Sequence, residues 1–285
     1  MVEKKSSLVK WVSSKEFVST VILLLWVVIA LLPIVFIFVT SIKTDEEVYL
    51  PYITWIPQKP TIKPYIYALF GESPFSQYIM NSIIVAGTTT AIVIILASIS
   101  SYAFSRFKFK GGQAGMFAVL ASRLLPPVSL LIPWFIVASS LQLIDTLQAL
   151  ILTNIYMNLP FAIWLLKGFY DAIPRDFDDA ALVDGCSTFQ AFRKIILPLI
   201  GPGIGAVAVL TFLFSWNELL FAITLSMTPA SRVVSAGVYD FVTDAFIEWP
   251  KLCAAAMLAV IPAMIFVIFF QKYLVRGLVA GALKR

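Results

Sequence analysis

The sequence predicts an all-α, polytopic membrane protein with six transmembrane helices. The mean hydropathy is +0.92, and 60% of the 285 residues are hydrophobic, whereas a soluble domain is about half apolar. Only 13% of the residues are charged. Continuous apolar runs of about 20 residues, the length that a helix needs to cross a bilayer, recur along the chain. These runs lack the alternation that is typical of a membrane β-barrel.

Six apolar windows are long enough to span the membrane, and they cover residues 17–40, 78–104, 115–139, 147–166, 201–225 and 252–274. The first window follows Lys4, Lys5, Lys10 and Lys15, so a cleaved signal peptide is an alternative interpretation. The run is longer than a signal-peptide core, and no small-residue cleavage motif closes it. We therefore expect a retained first helix. Pro126, Pro127 and Pro133 fall within the third window and predict a kinked span.

The basic residues predict the orientation. With six helices both termini share one side, and that side holds fifteen of the 21 lysines and arginines. Five lie on the opposite side, and Arg123 lies within a span. The positive-inside rule therefore places both termini in the cytoplasm and the acid-bearing segments 41–77 and 226–250 outside. The net charge of +5 follows from topology, so we expect no nucleic-acid partner.

The residue types exclude most chemistry on this chain. Histidine is absent, which removes the commonest general base and metal ligand. Cys186 and Cys253 fit neither a metal-site spacing nor a disulfide framework. No phosphate-binding G-x-x-x-x-G-K-[ST] motif occurs, and the glycines of the segment 201–205 are better explained by close helix packing. We expect no metal, no cofactor and no catalytic site.

A polar elbow, DDAALVDGCSTFQAFRKIILP, interrupts the apolar chain at residues 178–198. Pro174 can occupy the first turn of a short helix, in which acidic residues favour the positive end of the helix dipole. Gly185 is placed to stop that helix with a left-handed backbone. Both helices of the elbow are too short to be stable alone in water, so they must pack against other elements. Docking to a partner protein and simple covering of helix ends both remain open.

The second helix of the elbow begins with a capping box formed by Ser187 and Gln190. Phe189, Phe192 and Ile196 repeat at three and four residues and predict one apolar face. Pro198 is expected to end this helix.

The spacing Asp179-Ala180-Ala181-x-x-Asp184-Gly185, followed by Ile195-x-Leu197-Pro198, resembles the EAA signature of the permeases of bacterial and archaeal ABC importers. Two positions depart from it, since Asp179 replaces a glutamate and Cys186 a smaller residue. The carbohydrate branch, and within it the second subunits of maltose permeases, is similar over nearly the whole chain. The resemblance beyond the elbow rests on the segments RLLPP at 123–127, LPFAIWLLKGF at 159–169, SWNE at 215–218 and RGLVAGA at 276–282.

The resemblance implies a type I ABC importer permease in the cell membrane of a bacterium or archaeon. Its partners would be a second, homologous permease, two ATPase subunits that hold ATP and Mg²⁺, and an external solute-binding protein. The resemblance also divides the chain into an N-terminal part (1–77), a transmembrane domain (78–274) with a coupling loop (170–200), and a tail (275–285). The residues expected to couple to the ATPase are Asp178, Asp179, Ala180, Ala181, Leu182, Asp184 and Gly185.

Polar side chains within the spans are the candidates for a translocation path, since such groups face a bundle interior or water. They are Asn81, Asn154, Asn158, Trp216 and Asn217, with Arg123 and Glu218 as gating or structural charges. Hydrogen bonds and ring stacking with a sugar are one interpretation. Polar contacts between helices, with Arg123 and Glu218 paired or snorkelling, are the other.

The expected substrate is a di- or oligosaccharide, and a polyol or a glycerol phosphate is the alternative within the same family. A secondary transporter is the alternative from another class, although no internal repeat supports it. A channel would require a ring of like charges, which one Arg and one Glu do not form.

Overall fold

The computed structural model describes residues 15–71, 74–242 and 246–282. Several charged residues that entered the orientation argument lie outside the described residues; these are Lys4, Lys5, Lys10, Glu72, Asp244, Lys284 and Arg285. The fold class is confirmed, because the described chain is helical and the isolated bridge between Val242 and Ile247 is its only β-pairing.

The α-helices in chain order are α1 (Lys15–Ser41), α2 (Asp45–Val48), α3 (Lys63–Phe70), α4 (Phe75–Arg106), α5 (Gly112–Ala121), α6 (Pro127–Ser140), α7 (Leu147–Asp171), α8 (Asp176–Val183), α9 (Thr188–Ala191), α10 (Leu197–Leu199), α11 (Gly201–Trp216), α12 (Leu220–Leu225), α13 (Val234–Gly237) and α14 (Trp249–Ala282). Short 3₁₀ turns follow α5 at Ser122–Leu124 and α13 at Val238–Phe241. A π-helical turn, Phe192–Ile196, connects α9 to α10.

Four described helices, α1, α4, α7 and the first part of α14, are long and apolar enough to cross a membrane. Two bent pairs raise this number to six if each pair forms one span. The first pair is Gly112–Leu124 with α6, and the second is Thr188–Leu199 with α11. The count of six spans therefore stays a prediction.

The kink expected from the prolines of the third window is confirmed. The segment Gly112–Leu124 and α6 meet at an angle of 96°, with the break at Leu125 and Pro126. Pro127 begins α6, where its missing N–H costs no hydrogen bond.

The fifth window is not one continuous helix, because α11 ends at Trp216 and α12 begins at Leu220. The carboxylate of Glu218 accepts hydrogen bonds from the backbone N–H groups of Phe221 (3.0 Å) and Ala222 (3.1 Å). An acidic side chain that caps the first turn of α12 in this way favours a new helix over continuation of α11.

The described chain divides into two compact units, and the smaller comprises the described residues of the ranges 1–68 and 241–257. Most apolar side chains of α1 are exposed, as expected for a helix that faces lipid. Beyond α1, Glu47 is buried and accepts hydrogen bonds from the Thr54 hydroxyl (2.8 Å) and from the backbone N–H of Gln58 (3.0 Å). Burial raises the pKa of Glu47, but these hydrogen bonds lower it by more than burial raises it. The pKa therefore lies below its ordinary value.

The larger unit comprises residues 69–240 and 258–285. Its core is formed mainly by α4, α7 and α11, with Val93, Leu166 and Val207 fully buried. A Cβ atom added at Gly203 would lie 2.6 Å from the Phe169 ring, and one at Gly205 would lie 2.6 Å from Tyr273. These close approaches agree with the packing interpretation of the glycine cluster.

Candidate coupling and translocation sites

The polar elbow begins with α8, whose first turn carries Asp176, Asp178 and Asp179 as predicted. Arg175 occupies the N-cap position, so Pro174 precedes the cap and does not lie in the first turn. Either position accommodates proline, because neither requires a backbone N–H inside the helix.

The turn after α8 is a Schellman motif, which satisfies the last carbonyl groups of the helix. The N–H of Cys186 donates to the Ala181 carbonyl (3.0 Å), and the N–H of Gly185 donates to the Leu182 carbonyl (3.1 Å). Gly185 has φ +83°, the left-handed conformation that the sequence predicts.

The capping box at the start of α9 is confirmed. The backbone N–H of Ser187 donates to Gln190 Oε1 (2.8 Å), and the N–H of Gln190 donates to Ser187 Oγ (3.3 Å). Pro198 does not end this helix, because the chain remains helical to Leu199 through the π turn. The ring of Pro198 would clash with the carbonyl of Lys194 in a regular α-helix, and the wider π turn lies at that residue.

Asp178 points back into the protein and joins α8 to the end of α4. Its Oδ1 accepts a hydrogen bond from the Tyr102 hydroxyl at 2.7 Å, and its Oδ2 lies 2.8 Å from Arg106 Nε. The Arg106 and Asp178 side chains are only 7% and 13% exposed. A salt bridge shielded from water in this way is screened less by salt than an exposed one.

Further contacts hold the same end of α4 to the segment before α8. Arg106 donates to the carbonyl of Ile173 (3.0 Å), and Arg175 donates to the carbonyl of Ser105 (3.0 Å). The Ser105 hydroxyl donates to Asp171 Oδ1 (2.7 Å). The Tyr102 ring also lies 4.9 Å from the ring of Phe192 after α9. Both halves of the elbow are thus attached to α4.

The outer face of the elbow is exposed and mixed in character. Val183 is 87% exposed, and the Phe189 ring is 65% exposed. The predicted apolar face of the second helix is therefore wrong at Phe189, whereas Phe192 and Ile196 are buried as expected. Phe189 is the first of the three, and its ring contacts Phe192 with centroids 6.2 Å apart while most of it stays exposed.

The predicted coupling residues separate into two groups in the structure. Asp178 and Ala181 face inward, toward α4 and the core. The remaining five are exposed: Asp179, Ala180, Leu182, Asp184 and Gly185. Sequence reasoning missed Tyr102 and Arg106 as partners of the elbow. Their spacing of four residues, which places both on one face at the end of α4, was the available signal.

The asparagines proposed for the translocation path are buried and bonded to backbone carbonyls. Asn81 donates to the carbonyls of Pro229, Ala230 and Arg232, the last at 2.8 Å. Asn154 donates to Leu150 (2.9 Å).

Asn158 donates to the Asn154 carbonyl (2.8 Å) and lies 3.4 Å from the Ser215 hydroxyl. The bonds of Asn154 and Asn158 to backbone carbonyls lie within α7, whereas the contact between Asn158 and Ser215 joins α7 to α11, as the interpretation of polar packing between helices expects. A role on the path stays a prediction.

The remaining candidates of the fifth window differ in exposure. Trp216 is 5% exposed, and its ring stacks on Phe212 with centroids 5.6 Å apart. Asn217 is exposed and donates to the Leu213 carbonyl (2.8 Å). Glu218 lies beside a cavity of about 10 Å³, which Ser82, Asn154 and Ser215 also line. A cavity of this volume accommodates about one water molecule.

Arg123 and Glu218 are not paired with each other. Arg123 Nη1 donates to the carbonyl of Met157 (3.0 Å), and the guanidinium lies 5.5 Å and 5.9 Å from the ring centroids of Phe161 and Phe214. Glu218 caps α12 instead. Cation–π contacts with two rings hold the arginine beside the break between α5 and α6.

Asp145 organises the loop that follows α12. Its carboxylate accepts hydrogen bonds from the N–H groups of Met227 (2.8 Å) and Thr228 (2.9 Å), from the Thr228 hydroxyl, and from Ser231. Burial opposes the charged form, but the hydrogen bonds from Ser231, Thr228 and Met227 lower the pKa of Asp145 to about 2. Its backbone has φ +61°, and its N–H donates to the Leu225 carbonyl (2.8 Å).

Among residues 15–71, 74–242 and 246–282, no group of three potential metal ligands from His, Cys, Asp and Glu converges. The organised polar chemistry described above is that of anchoring and capping. It provides no arrangement of nucleophile, base and orienting group.

Comparison with known proteins identifies the family of this chain. The family of binding-protein-dependent transport system inner membrane components matches residues 93–279. A sulfoquinovosyl glycerol transport system permease of Agrobacterium fabrum is 34% identical over 94% of this chain and 93% of its own. A trehalose transport system permease of Mycobacterium tuberculosis is 37% identical over 90% and 93%. A trehalose/maltose transport system permease of Thermococcus litoralis is 33% identical over 92% and 94%.

A solved structure shares the fold. A chain of a bacterial ABC transporter that imports the acidic polysaccharide alginate superposes with a TM-score of 0.77, at 21% identity, over 90% of this chain and 95% of that chain. A second structure, of an alginate ABC transporter in complex with an alginate-bound periplasmic protein, gives a TM-score of 0.68 at 18% identity over 91% and 94%. Family, relatives and fold agree along most of the sequence. The chain therefore belongs to the family of binding-protein-dependent transport system inner membrane components, and it is a transport permease and not an enzyme.

Proposed function

We propose that this chain is one permease subunit of an ATP-driven importer of a sugar, most specifically a di- or oligosaccharide. The names of its relatives support this, since those names describe transport systems for trehalose, for trehalose and maltose, and for sulfoquinovosyl glycerol. The alginate transporter, which has the same fold, extends the range to polysaccharides. The common chemistry is a polyhydroxylated solute, so uptake of a sugar is the activity to test first.

The proposed assembly contains a second, homologous permease, two ATPase subunits and an external solute-binding protein in a prokaryotic cell membrane. The periplasmic protein in the alginate complex supports the last of these by analogy. The sequence lacks the phosphate-binding loop of ATPases, so ATP and Mg²⁺ would bind to the partner subunits.

The observation that carries the proposal is the construction of the elbow. Its helices are capped within the loop itself, its inner face is held by Tyr102 and Arg106, and its outer face exposes Asp179, Leu182 and Val183. Closure of the ATPase subunits would displace α8 as a rigid body. The contacts of Asp178 would transmit that displacement to the end of α4. A loop without such anchors could not favour one permease conformation over another.

Cross-linking tests the docking part of the proposal. With Cys186 and Cys253 replaced by serine, Val183→Cys should react with a short bifunctional reagent and form a covalent adduct with an ATPase subunit. Ala181→Cys is the matched control, because Ala181 is 1% exposed whereas Val183 is 87% exposed. Adducts of Val183→Cys that contain only copies of the permease would contradict docking of α8.

Transport by the reconstituted complex tests the class of transporter and of substrate. We expect uptake of radiolabelled trehalose or maltose to require ATP and the binding protein. Uptake of glycerol 3-phosphate or of a polyol instead would assign the alternative substrate. Uptake that an ion gradient drives in the absence of the ATPase would refute the ABC importer and favour a secondary transporter.

A further inference from the structure

The larger unit contains a cavity of about 160 Å³ at the break between the helices of the bent third span. It lies between the 3₁₀ turn Ser122–Leu124, the start of α6 and the middle of α7. Its walls include Arg123, Leu125, Leu130, Tyr156 and Pro160. A pocket for a drug-sized ligand has about 300 Å³ or more, so this cavity is suited to one ring of a larger solute.

Arg123 presents unused hydrogen-bond donors at this cavity. A guanidinium group has five N–H donors, and in the part of the chain that the structure describes one of them is used, toward the Met157 carbonyl. No carboxylate of the described residues forms an ion pair with Arg123. A positive charge within a membrane span usually has a partner, because an isolated charge there is costly.

Tyr156 gives the cavity an aromatic wall that is held in place, and its hydroxyl lies 3.5 Å from the Ser122 carbonyl. Tyr156 is half-buried, and its ring lies against the Trp134 ring with centroids 5.3 Å apart. The indole N–H of Trp134 donates to the hydroxyl of Thr153, which fixes the orientation of this ring pair. A fixed aromatic face is a suitable platform for the apolar face of a sugar ring.

We propose that this cavity is a binding subsite for one sugar ring that carries a carboxylate or a related oxyanion. The ring would lie against Tyr156, and the oxyanion would accept two parallel hydrogen bonds from the free edge of Arg123. Neutral hydroxyl groups would also accept these bonds, but they would leave the charge uncompensated. A planar guanidinium matches an oxyanion in both geometry and charge.

The inference rests on the proposed function, since it takes the cavity to lie on the path of a transported sugar. Its test can nevertheless be separated from transport. Leu130 lines the cavity, and Ile132 on the same helix is 74% exposed and is not among the lining residues. A cysteine at each position, in a complex with Cys186 and Cys253 replaced by serine, provides a probe and a matched control.

The measurement compares the rates at which an anionic and a cationic methanethiosulfonate reagent modify the cysteine, in the assembled complex in uncharged-lipid nanodiscs. At an effective dielectric constant of about 40, a unit charge about 6 Å away should speed the anionic reagent about tenfold and slow the cationic reagent about tenfold, so their rate ratio at Leu130→Cys should be about a hundredfold. This preference should persist in Arg123→Lys and disappear in Arg123→Gln. The control, Ile132→Cys, should show no change with either substitution.

Protection identifies the ligand. A glucuronate-terminated disaccharide should slow the modification of Leu130→Cys, and it should do so less well in Arg123→Gln, whereas trehalose should protect equally weakly in both. Equal protection by the two sugars, or a rate preference that does not depend on Arg123, would overturn the inference. Protection in parallel nanodiscs that contain anionic lipid, without competition from the acidic sugar, would also overturn it. If one of these contrary results is obtained with a complex that still transports sugars, the subsite is refuted and the proposed function stands.

Discussion

The hydrogen bond between Tyr102 and Asp178 can be removed with almost no change of shape, which makes it the sharpest test of the elbow. In Tyr102→Phe the ring keeps its contacts with Phe192 (4.9 Å) and Tyr170 (5.6 Å). Only the 2.7 Å hydrogen bond to Asp178 is lost, and Arg106 still pairs with that carboxylate. Any effect on α8 therefore reports the attachment itself.

The expected magnitude follows from the type of bond. A hydrogen bond to a charged group contributes about 1.5–3 kcal/mol, and the Asp178 side chain is only 13% exposed. Each 1.4 kcal/mol corresponds to a factor of about ten in an equilibrium constant. The population in which α8 has detached from α4 should therefore rise by about ten- to a hundredfold in Tyr102→Phe.

Hydrogen–deuterium exchange of the purified complex measures this population, because amides exchange through local opening. We expect exchange of the amides of α8 to accelerate by that factor, with a lower ratio of sugar transported to ATP hydrolysed. Tyr170→Phe is the matched control, since Tyr170 packs in the same aromatic group and makes no hydrogen bond with Asp178. If exchange in α8 is unchanged in Tyr102→Phe, or rises equally in the control, α8 is not held by this bond.

Three further predictions concern the turn after α8, the loop after α12 and the asparagines. Gly185→Val places a β-branched residue at φ +83° and should abolish ATP-coupled uptake, whereas Gly185→Asn should retain most of it. Equal uptake by the two variants would contradict a role of the left-handed backbone at Gly185. The pKa of Asp145 is depressed to about 2, so its stabilisation is complete above about pH 4 and is lost only as the pH falls through about 2. After correction for intrinsic exchange rates, the opening equilibrium of the loop 226–232 that amide exchange measures should therefore stay constant from about pH 8 to about pH 5. Asp145→Asn should raise the opened population over this whole range. An opening equilibrium that changes near pH 5 in the unmutated protein would refute this. For Asn154→Ala and Asn158→Ala the buried hydrogen bonds predict an unchanged KM for uptake and a loss of about 1 kcal/mol in stability, and a raised KM with normal ATPase stimulation would instead place them on the path.

Local features of this protein could be predicted from its sequence because they depend on near neighbours. The capping box at Ser187 and Gln190 spans three residues, and the left-handed turn depends on Gly185 itself. The bend between the segment Gly112–Leu124 and α6 follows from two adjacent prolines. In each of these cases backbone conformation or hydrogen bonding is determined by residues within one or two helical turns.

Contacts between distant segments could not be predicted in this way. Tyr102 and Asp178 are 76 positions apart, so no periodic pattern connects them. The burial of the asparagines likewise depends on which helix faces α7, since Asn158 meets Ser215 across 57 positions. The window 201–225 appeared continuous because its composition is mainly apolar and Asn217 and Glu218 interrupt it only briefly. The capping geometry of Glu218, which divides it, appears only in three dimensions.

The self-contained hydrogen bonding of the elbow has a consequence for how the transporter is put together. The Schellman turn and the capping box satisfy the backbone hydrogen-bonding groups at the end of α8 and the start of α9 from within the loop. The carboxylate of Asp178 pairs with Arg106 of α4 in the same chain. In the proposed assembly, the surface that docks an ATPase subunit would therefore be shaped before that subunit binds, and association would not bear the entropy loss of folding a disordered segment. A permease that is inserted into the membrane early in biogenesis would then present this surface in its final conformation, so the ATPase subunits could bind in one step.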